Sequence, residues 1–142
     1  MTGAVTAPQR PEQVLEFTLG DEQYCLGIDR IVEIVKAGEM TTLPNTSPSV
    51  AGVMDLRGET TTILDPTSIF DAYSDQDSQQ VIILDSEERI GWLVDRVDRV
   101  RSLHDADVDS GPESPYISGL ISDGERFVIW VEPDAVNDSV SI

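Results

Sequence analysis

The sequence predicts an all-β protein that is built from two similar small β units and contains little helix. Short apolar stretches alternate with turn residues along the chain, as they do in β-barrels and sandwiches. Blocks of the first half recur in the second half, with Val14 matching Val81 and Gly52 matching Gly119, an offset of 67 residues in both cases. Aromatic residues make up only 6% of the chain, so the core must consist mainly of Val, Ile and Leu.

The first half is predicted to hold a hairpin followed by a second pair of strands. Residues 1–12 lack any apolar period and are expected to form a flexible tail. Prolines 44 and 48 place a loop over residues 43–48, because proline cannot continue a strand ladder. The predicted elements are a hairpin over 14–19 and 24–28, a helical turn leading into a strand over 29–36, and strands over 50–54 and 60–64.

The second half repeats this plan and sets the predicted domain limits. Strands are expected over 81–84 and 90–94, after an Asp-rich linker over 71–78. The whole β domain is expected to span residues 13–137, with a first unit over 13–70, a second over 79–137 and a short tail over 138–142. A unit of about 60 residues is marginal alone, so the two are expected to share a tight interface or to exchange strands.

The charge of the chain excludes several classes of partner. Acidic residues number 27 against nine basic ones, giving a net charge of −18. Such a chain offers no basic patch for nucleic acid or for an anionic membrane surface. Only Lys36 accompanies eight arginines, which leads to the hypothesis of a salt-rich cytosol in a halophile. The alternative is an ordinary acidic protein.

The composition also argues against a metal centre and a secreted protein. A single cysteine, Cys25, excludes an internal disulfide, and a single histidine, His104, excludes a multi-histidine site. The run from Asp105 to Asp109 has acids at three calcium-loop positions but lacks the Gly and the distal Glu, so a solvated acidic loop is expected. We find neither a signal peptide nor an apolar run of membrane-spanning length. The expected protein is cytoplasmic, without membrane insertion, and binds no metal or cofactor.

The sequence contains no catalytic motif, and Arg57 is the residue with the strongest indication of a binding role. The sequence contains no nucleophile elbow, phosphate loop or zinc-protease motif, so an enzyme is not expected. Arg57 lies at the turn between two apolar strands, either as an exposed turn residue or as a fixed guanidinium at a binding surface. Glu33 lies in an apolar run, where an unpaired charge is unfavourable. We predict that Glu33 and Arg57 form an ion pair.

An ordered set of segments resembles the CheW family of chemotaxis coupling proteins. The resemblance covers about residues 13–136, nearly the whole chain. The segments are FTLGDEQY at 17–24, GID at 27–29, VEI at 32–34, LPNT at 43–46, GVMDLRG at 52–58, ILD at 63–65, GWLVDRV at 91–97 and YISGL at 116–120.

The resemblance implies a fold, partners and a site. The family fold is a pair of intertwined SH3-like β-barrels of five strands each. The implied function is an adaptor, with no catalysis, between the cytoplasmic tip of a chemoreceptor (a methyl-accepting chemotaxis protein) and the regulatory domain of a histidine kinase; the chain is expected to be a monomer in isolation. Another SH3-like peptide-binding module is the alternative. The implied receptor- and kinase-binding residues are Ile31, Glu33, Gly52, Val53, Asp55, Leu56, Arg57, Gly58 and Val100.

Three positions depart from the family pattern. Asp55 stands where asparagine is commonest, and Pro66 follows Asp65 where the family usually continues with Leu-Arg. Residues 105–115 are Asp-rich where relatives often carry a basic residue and an aromatic for a kinase contact, so a second kinase contact is not predicted there.

Overall fold

The structure is a computed structural model that describes residues 11–72, 80–103, 108–124 and 126–140. Residues 1–10 of the expected tail over 1–12, most of the linker, and residues 104–107 lie outside the described residues. Eleven strands, one 3-10 turn and one short helix are described. The strands are β1 Gln13–Leu19, β2 Glu22–Gly27, β3 Ile31–Lys36, β4 Val50–Leu56, β5 Glu59–Leu64, β6 Gln80–Leu84, β7 Ile90–Val94, β8 Arg96–Ser102, β9 Val108–Asp109, β10 Ile117–Asp123 and β11 Arg126–Val131.

These strands form two sheets, as the all-β prediction requires. The six-stranded sheet has the order β8-β1-β2-β11-β10-β9, and the five-stranded sheet has the order β3-β6-β7-β5-β4. The hairpins β1–β2 and β6–β7 each lie in the sheet whose other strands come from the opposite half of the chain. The predicted fold of two intertwined SH3-like barrels is confirmed, although one sheet has six strands rather than five because the two-residue β9 pairs with β10.

Short connections explain why the hairpins are exchanged. Only the 3-10 turn Ile28–Arg30 separates β2 from β3, and only Asp95 separates β7 from β8. If β3 paired with the free edge of β1, it would run parallel to β2, and a parallel crossover needs a dozen or more residues. Since the outer edges of β2 and β7 pair with β11 and β5, the chain passes into the other sheet after each of these hairpins.

The internal repeat reappears as matched pairing in the two sheets. The hairpin β1–β2 pairs antiparallel with β8 and parallel with β11, as β6–β7 pairs antiparallel with β3 and parallel with β5. The ladders also break at equivalent places, next to Gly52 in β4 and next to Gly119 in β10. The repeated blocks in the sequence therefore correspond to repeated structure.

The core has a shared central part and two smaller parts. Strands β1 and β6 are buried on both faces because one face lines the inside of a barrel and the other packs between the barrels. The central part holds the fully buried Trp92, whose Nε1 donates a hydrogen bond to Asn137 Oδ1 at 2.9 Å. Trp130 is half-buried and packs against the small core of the six-stranded sheet.

A short C-terminal helix, α1 Pro133–Asp138, closes the central core. Glu132 caps its first turn, and Val136 and Val140 are buried beside the barrels. The Arg30 guanidinium donates to both carboxylate oxygens of Asp134, at 2.6 and 3.2 Å, and these hydrogen bonds raise the pKa of Arg30. This contact ties the helix to the turn between β2 and β3.

Cys25 is fully buried in β2, among the apolar side chains of the small core of the six-stranded sheet. Burial raises the pKa of its thiol above the ordinary value of 9.0, and the nearby Glu16 adds to the effect. We expect a thiol reagent to label the native chain at least about a hundredfold more slowly than the unfolded chain.

The same burial predicts a pH dependence. Above about pH 9 the thiol ionises in the unfolded chain but stays protonated in the folded chain, because burial disfavours its charged form. The contribution of Cys25 to the free energy of unfolding is therefore fully present at neutral pH and is lost as the pH rises. Cys25→Ala should remove that dependence. Denaturant unfolding of both proteins between about pH 7 and pH 10 measures this dependence. For the labelling experiment, rapid modification of the folded protein would contradict the burial.

Candidate functional site

The turn between β4 and β5 presents the arginine that the sequence singles out. Leu56 and Glu59 are paired across the ladder, so Arg57 and Gly58 form a two-residue loop. Their φ angles are +52° and +85°, the signs of a type I′ hairpin turn. This turn favours Asn or Gly at its first central position, and a left-handed arginine costs about 1 kcal/mol. The turn conformation therefore does not explain why position 57 is an arginine.

The Arg57 side chain forms an ion pair with Glu33, which confirms the predicted contact. Arg57 Nη2 donates to Glu33 Oε2, and this hydrogen bond raises the pKa of Arg57. Strands β3 and β4 are the two edges of the five-stranded sheet, so the pair joins the β4–β5 turn to the opposite edge and helps to close the barrel. Because Arg57 is exposed, the pair should contribute little to the stability of the fold.

The exposed face of β3 adds two residues that the sequence analysis did not single out. Val32 is 60% exposed and Ile34 is 38% exposed, whereas Ile31, Glu33 and Val35 turn towards the barrel. Two exposed aliphatic side chains on an edge strand are available for contact with a partner. The alternation was hidden because both faces of β3 carry apolar residues, which leaves no periodic signal.

A groove lies between the edges β3 and β4, and its lining includes Leu56, the residue before Arg57 in the chain. Its volume is about 570 Å³, and Val53, Asp55 and Leu56 of the expected site line one wall. Val35 and Lys36 line the other wall. Asp55 is exposed, Val53 is half-buried, and Leu56 packs mainly in the barrel core. Leu56 therefore serves the barrel interior rather than an exposed contact.

The other expected site residues are not gathered at this groove. Ile31 is partly buried against the central core. Val100 is 48% exposed, but it lies on β8 at the edge of the six-stranded sheet. The structure thus brings Glu33 and Arg57 together and places Val100 on the other barrel.

Gly52 has a structural reason to be glycine. A Cβ atom at this position would lie 2.5 Å from the Thr41 carbonyl oxygen, and the φ angle is +151°. The close approach allows Thr41 to bridge to Val53, with hydrogen bonds of 2.9 Å in both directions. Gly119 makes the equivalent approach to the Asp109 carbonyl in the other sheet, with a Cβ distance of 2.8 Å.

We predict that Gly52→Ala destabilises the fold by about 2 kcal/mol or more, because the clash adds to backbone strain. Gly58→Ala is the matched control, since it also has a positive φ angle but no atom within 4 Å of an added Cβ. The control should cost only about 1 kcal/mol. Denaturant unfolding of both variants measures the difference, and equal costs would contradict the close approach.

The described residues offer neither a metal centre nor a membrane span. Within ranges 11–72, 80–103, 108–124 and 126–140, no group of three or more His, Cys, Asp or Glu side chains is arranged to hold a metal ion. No described helix is long and apolar enough to cross a membrane. The groove and the ion pair together contain five of the nine expected site residues.

The exchanged hairpins and the two barrels define a protein of the double SH3-like β-barrel class, with its candidate site on a barrel surface. A family model for the CheW-like domain matches residues 13–141. The chain therefore belongs to the CheW family, a family of chemotaxis scaffold proteins and not of known enzymes.

Individual relatives agree with this assignment. The chemotaxis protein CheW of Klebsiella aerogenes is 33% identical over 130 residues, which cover 85% of this chain and 78% of the relative. The chemotaxis protein CheW of Bacillus subtilis is 24% identical and covers 92% of this chain and 89% of its own length. The crystal structure of the scaffolding protein TtCheW from Thermoanaerobacter tengcongensis matches with a TM-score of 0.78 at 23% identity, over 87% of this chain and 90% of that one.

Proposed function

We propose that this chain is an adaptor that couples the cytoplasmic tips of chemoreceptors to the regulatory domain of a chemotaxis histidine kinase. The observation that carries the proposal is the Arg57–Glu33 ion pair, held at an exposed hairpin beside the apolar edge strand β3 in a chain of the CheW family. Its place of action is the cytoplasm, and it acts through binding alone, without a cofactor.

The surface chemistry suits such a role. An apolar strip formed by Val32 and Ile34 supplies contact area, and the planar guanidinium of Arg57 fixes the orientation of a partner's carboxylate. The receptor- and kinase-binding set is Ile31, Glu33, Gly52, Val53, Asp55, Leu56, Arg57, Gly58 and Val100, with Gly52 and Leu56 acting through the backbone and barrel that support the others. Two contacts of moderate affinity on one chain give strong overall binding in an array, because binding there is multivalent.

Binding measurements with the separate partners test this proposal. We expect the chain to bind a soluble receptor cytoplasmic fragment and a kinase regulatory domain, each from the same organism, and to bind both at once in size-exclusion chromatography. We also expect the free chain to migrate as a monomer. Binding to neither partner would favour the alternative, an SH3-like module that takes a peptide in another signalling complex.

A further inference from the structure

Glu16 on β1 is a buried acid whose charged partners come from the other half of the chain. Its side chain is 2% exposed, and an unpaired charge in such a place is strongly unfavourable. Arg99 Nε donates a hydrogen bond to Glu16 Oε1 at 3.2 Å, and Arg101 Nη1 lies 3.4 Å from Glu16 Oε2. Both arginines lie on β8, so these contacts join the first hairpin to the second half of the chain.

The equivalent positions of the five-stranded sheet carry different charges. The internal repeat, with its offset of 67 residues, places Ile83 where Glu16 stands. Ile83 is paired with Glu33 on β3, as Glu16 is paired with Arg99 on β8. The edge strand that receives the first hairpin therefore has a base at this position, and the edge strand that receives the second hairpin has an acid.

A chain with two equivalent halves can pair them in a wrong combination. In this fold the hairpin of each half completes the sheet of the other half. Two copies of the chain could instead pair first half with first half and second half with second half, because the equivalent strands occupy equivalent places in the two sheets. We call this arrangement the like-half dimer. Exchange of equivalent elements between copies is a low-cost route to dimers.

The charges disfavour both parts of the like-half dimer. Between two first halves, Glu16 of one copy would lie directly opposite Glu33 of the other, and like charges in that position of a strand pair are destabilising. Arg57, which pairs with Glu33 here, would have to serve both carboxylates. Between two second halves, the half-buried Arg101 would lie near Ile83 in place of the Glu16 carboxylate.

We propose that Glu16 and the two β8 arginines that pair with it select the pairing of unlike halves and so prevent the like-half dimer with a second copy of this chain. Stability alone does not account for the buried acid, because Ile83 and Val35 pack in an apolar core at the positions equivalent to Glu16 and Arg101. A buried ion pair is often no more stable than such packing, and the choice of partner or register is its best-attested use. The inference does not depend on the adaptor function.

The test is the state of the full chain after refolding from denaturant at about 1 mM, near the effective concentration that a short linker gives to a tethered partner. Glu16→Ile is combined with Arg101→Val, which copies the apolar pair of the other barrel. The wild-type chain should refold as a monomer. The double variant should give at least about ten times more dimer in size-exclusion chromatography with light scattering, because the clash of like charges is gone.

A cross-link distinguishes the like-half dimer from a dimer that merely exchanges identical hairpins. Gln13 is equivalent to Gln80, which is paired with Lys36, so the like-half dimer places position 13 of one copy opposite position 36 of the other. An exchange of identical hairpins keeps position 13 opposite Ser102. With Gln13→Cys and Lys36→Cys added, a short bismaleimide should link the two copies of the double variant. A dimer that is not linked in this way would overturn the inference.

A second variant tests the same inference without a change in the core. Glu33→Gln removes the opposing acid and leaves Glu16 with both arginines, so it should raise the dimer fraction, although by less than the double variant. The matched control is Glu59→Gln with Arg89→Gln, which removes an exposed ion pair between the two halves and should refold as the wild type does.

The result that would overturn the inference is defined for each variant. A double variant that folds and stays as monomeric as the wild type would overturn it. If the double variant does not fold, an unchanged dimer fraction in Glu33→Gln would do so. An equal rise in the dimer fraction of the control would also overturn it, because the effect would then belong to any ion pair between the halves.

Discussion

We expect Arg57→Glu to abolish receptor control of the kinase while the chain stays folded. The substitution leaves Glu33 facing a second acid, with Asp55 two residues away, so like charges gather where one cation stood. Their repulsion is strongest where a partner excludes water. Binding of the receptor fragment or of the kinase domain should weaken by at least about tenfold.

The fold should tolerate this change. Arg57 is exposed at a hairpin tip, and surface substitutions usually alter stability by no more than about 0.5 kcal/mol. Arg126→Glu serves as the matched control, because Arg126 is an exposed arginine beside the equivalent turn of the other sheet. Unfolding of Arg57→Glu would make Arg57 structural, and normal coupling by a folded variant would move the site elsewhere.

The second large effect that we expect is a steep rise in melting temperature with monovalent salt. The described arginines 30, 57, 89, 96, 99 and 101 already pair with acids, so many remaining carboxylates repel one another without a nearby cation. Molar salt shortens the screening length to about 3 Å and removes most of that repulsion. A stability gain of a few kcal/mol corresponds to a rise of about 10 °C.

A charge-neutralised variant separates screening from other effects of salt. Exposed acids at several surface positions become amides, which should raise the melting temperature in dilute buffer and flatten its dependence on sodium chloride. The chosen residues are Asp21, Glu39, Glu87, Glu88 and Asp138. Equal stability of the wild-type chain in dilute and molar salt would contradict the hypothesis of a halophilic origin and leave the proposed adaptor function intact.

Much of the fold could be predicted because the two halves of the chain carry matching sequence blocks. Val14 and Val81 begin equivalent hairpin strands, and Gly52 and Gly119 mark equivalent ladder breaks. The sequence is compatible both with exchanged hairpins and with a tight interface between two separate units. Its cause is the shortness of the connections, which excludes a parallel crossover once the pairing of the sheets is known.

The candidate site was harder to predict, because the sequence does not show which face of a strand each side chain occupies. Arg57 and Glu33 were found because a charge in an apolar run needs a partner. Val32 and Ile34 were missed because β3 is apolar on both faces. Glu16 looked like one more acid in an acidic chain, although its alignment with Ile83 was the available sign that it points into a core.

The most direct test of the adaptor function is kinase autophosphorylation in a reconstituted mixture of receptor, kinase and this chain. Receptors in membranes and the kinase are held at fixed concentrations while the chain is titrated in, with and without the receptor's ligand. We predict that kinase activity changes with receptor ligand only when this chain is present, and that Arg57→Glu cannot replace it. Kinase activity that responds to the receptor equally well without the chain, or never responds with it, would contradict the proposed function.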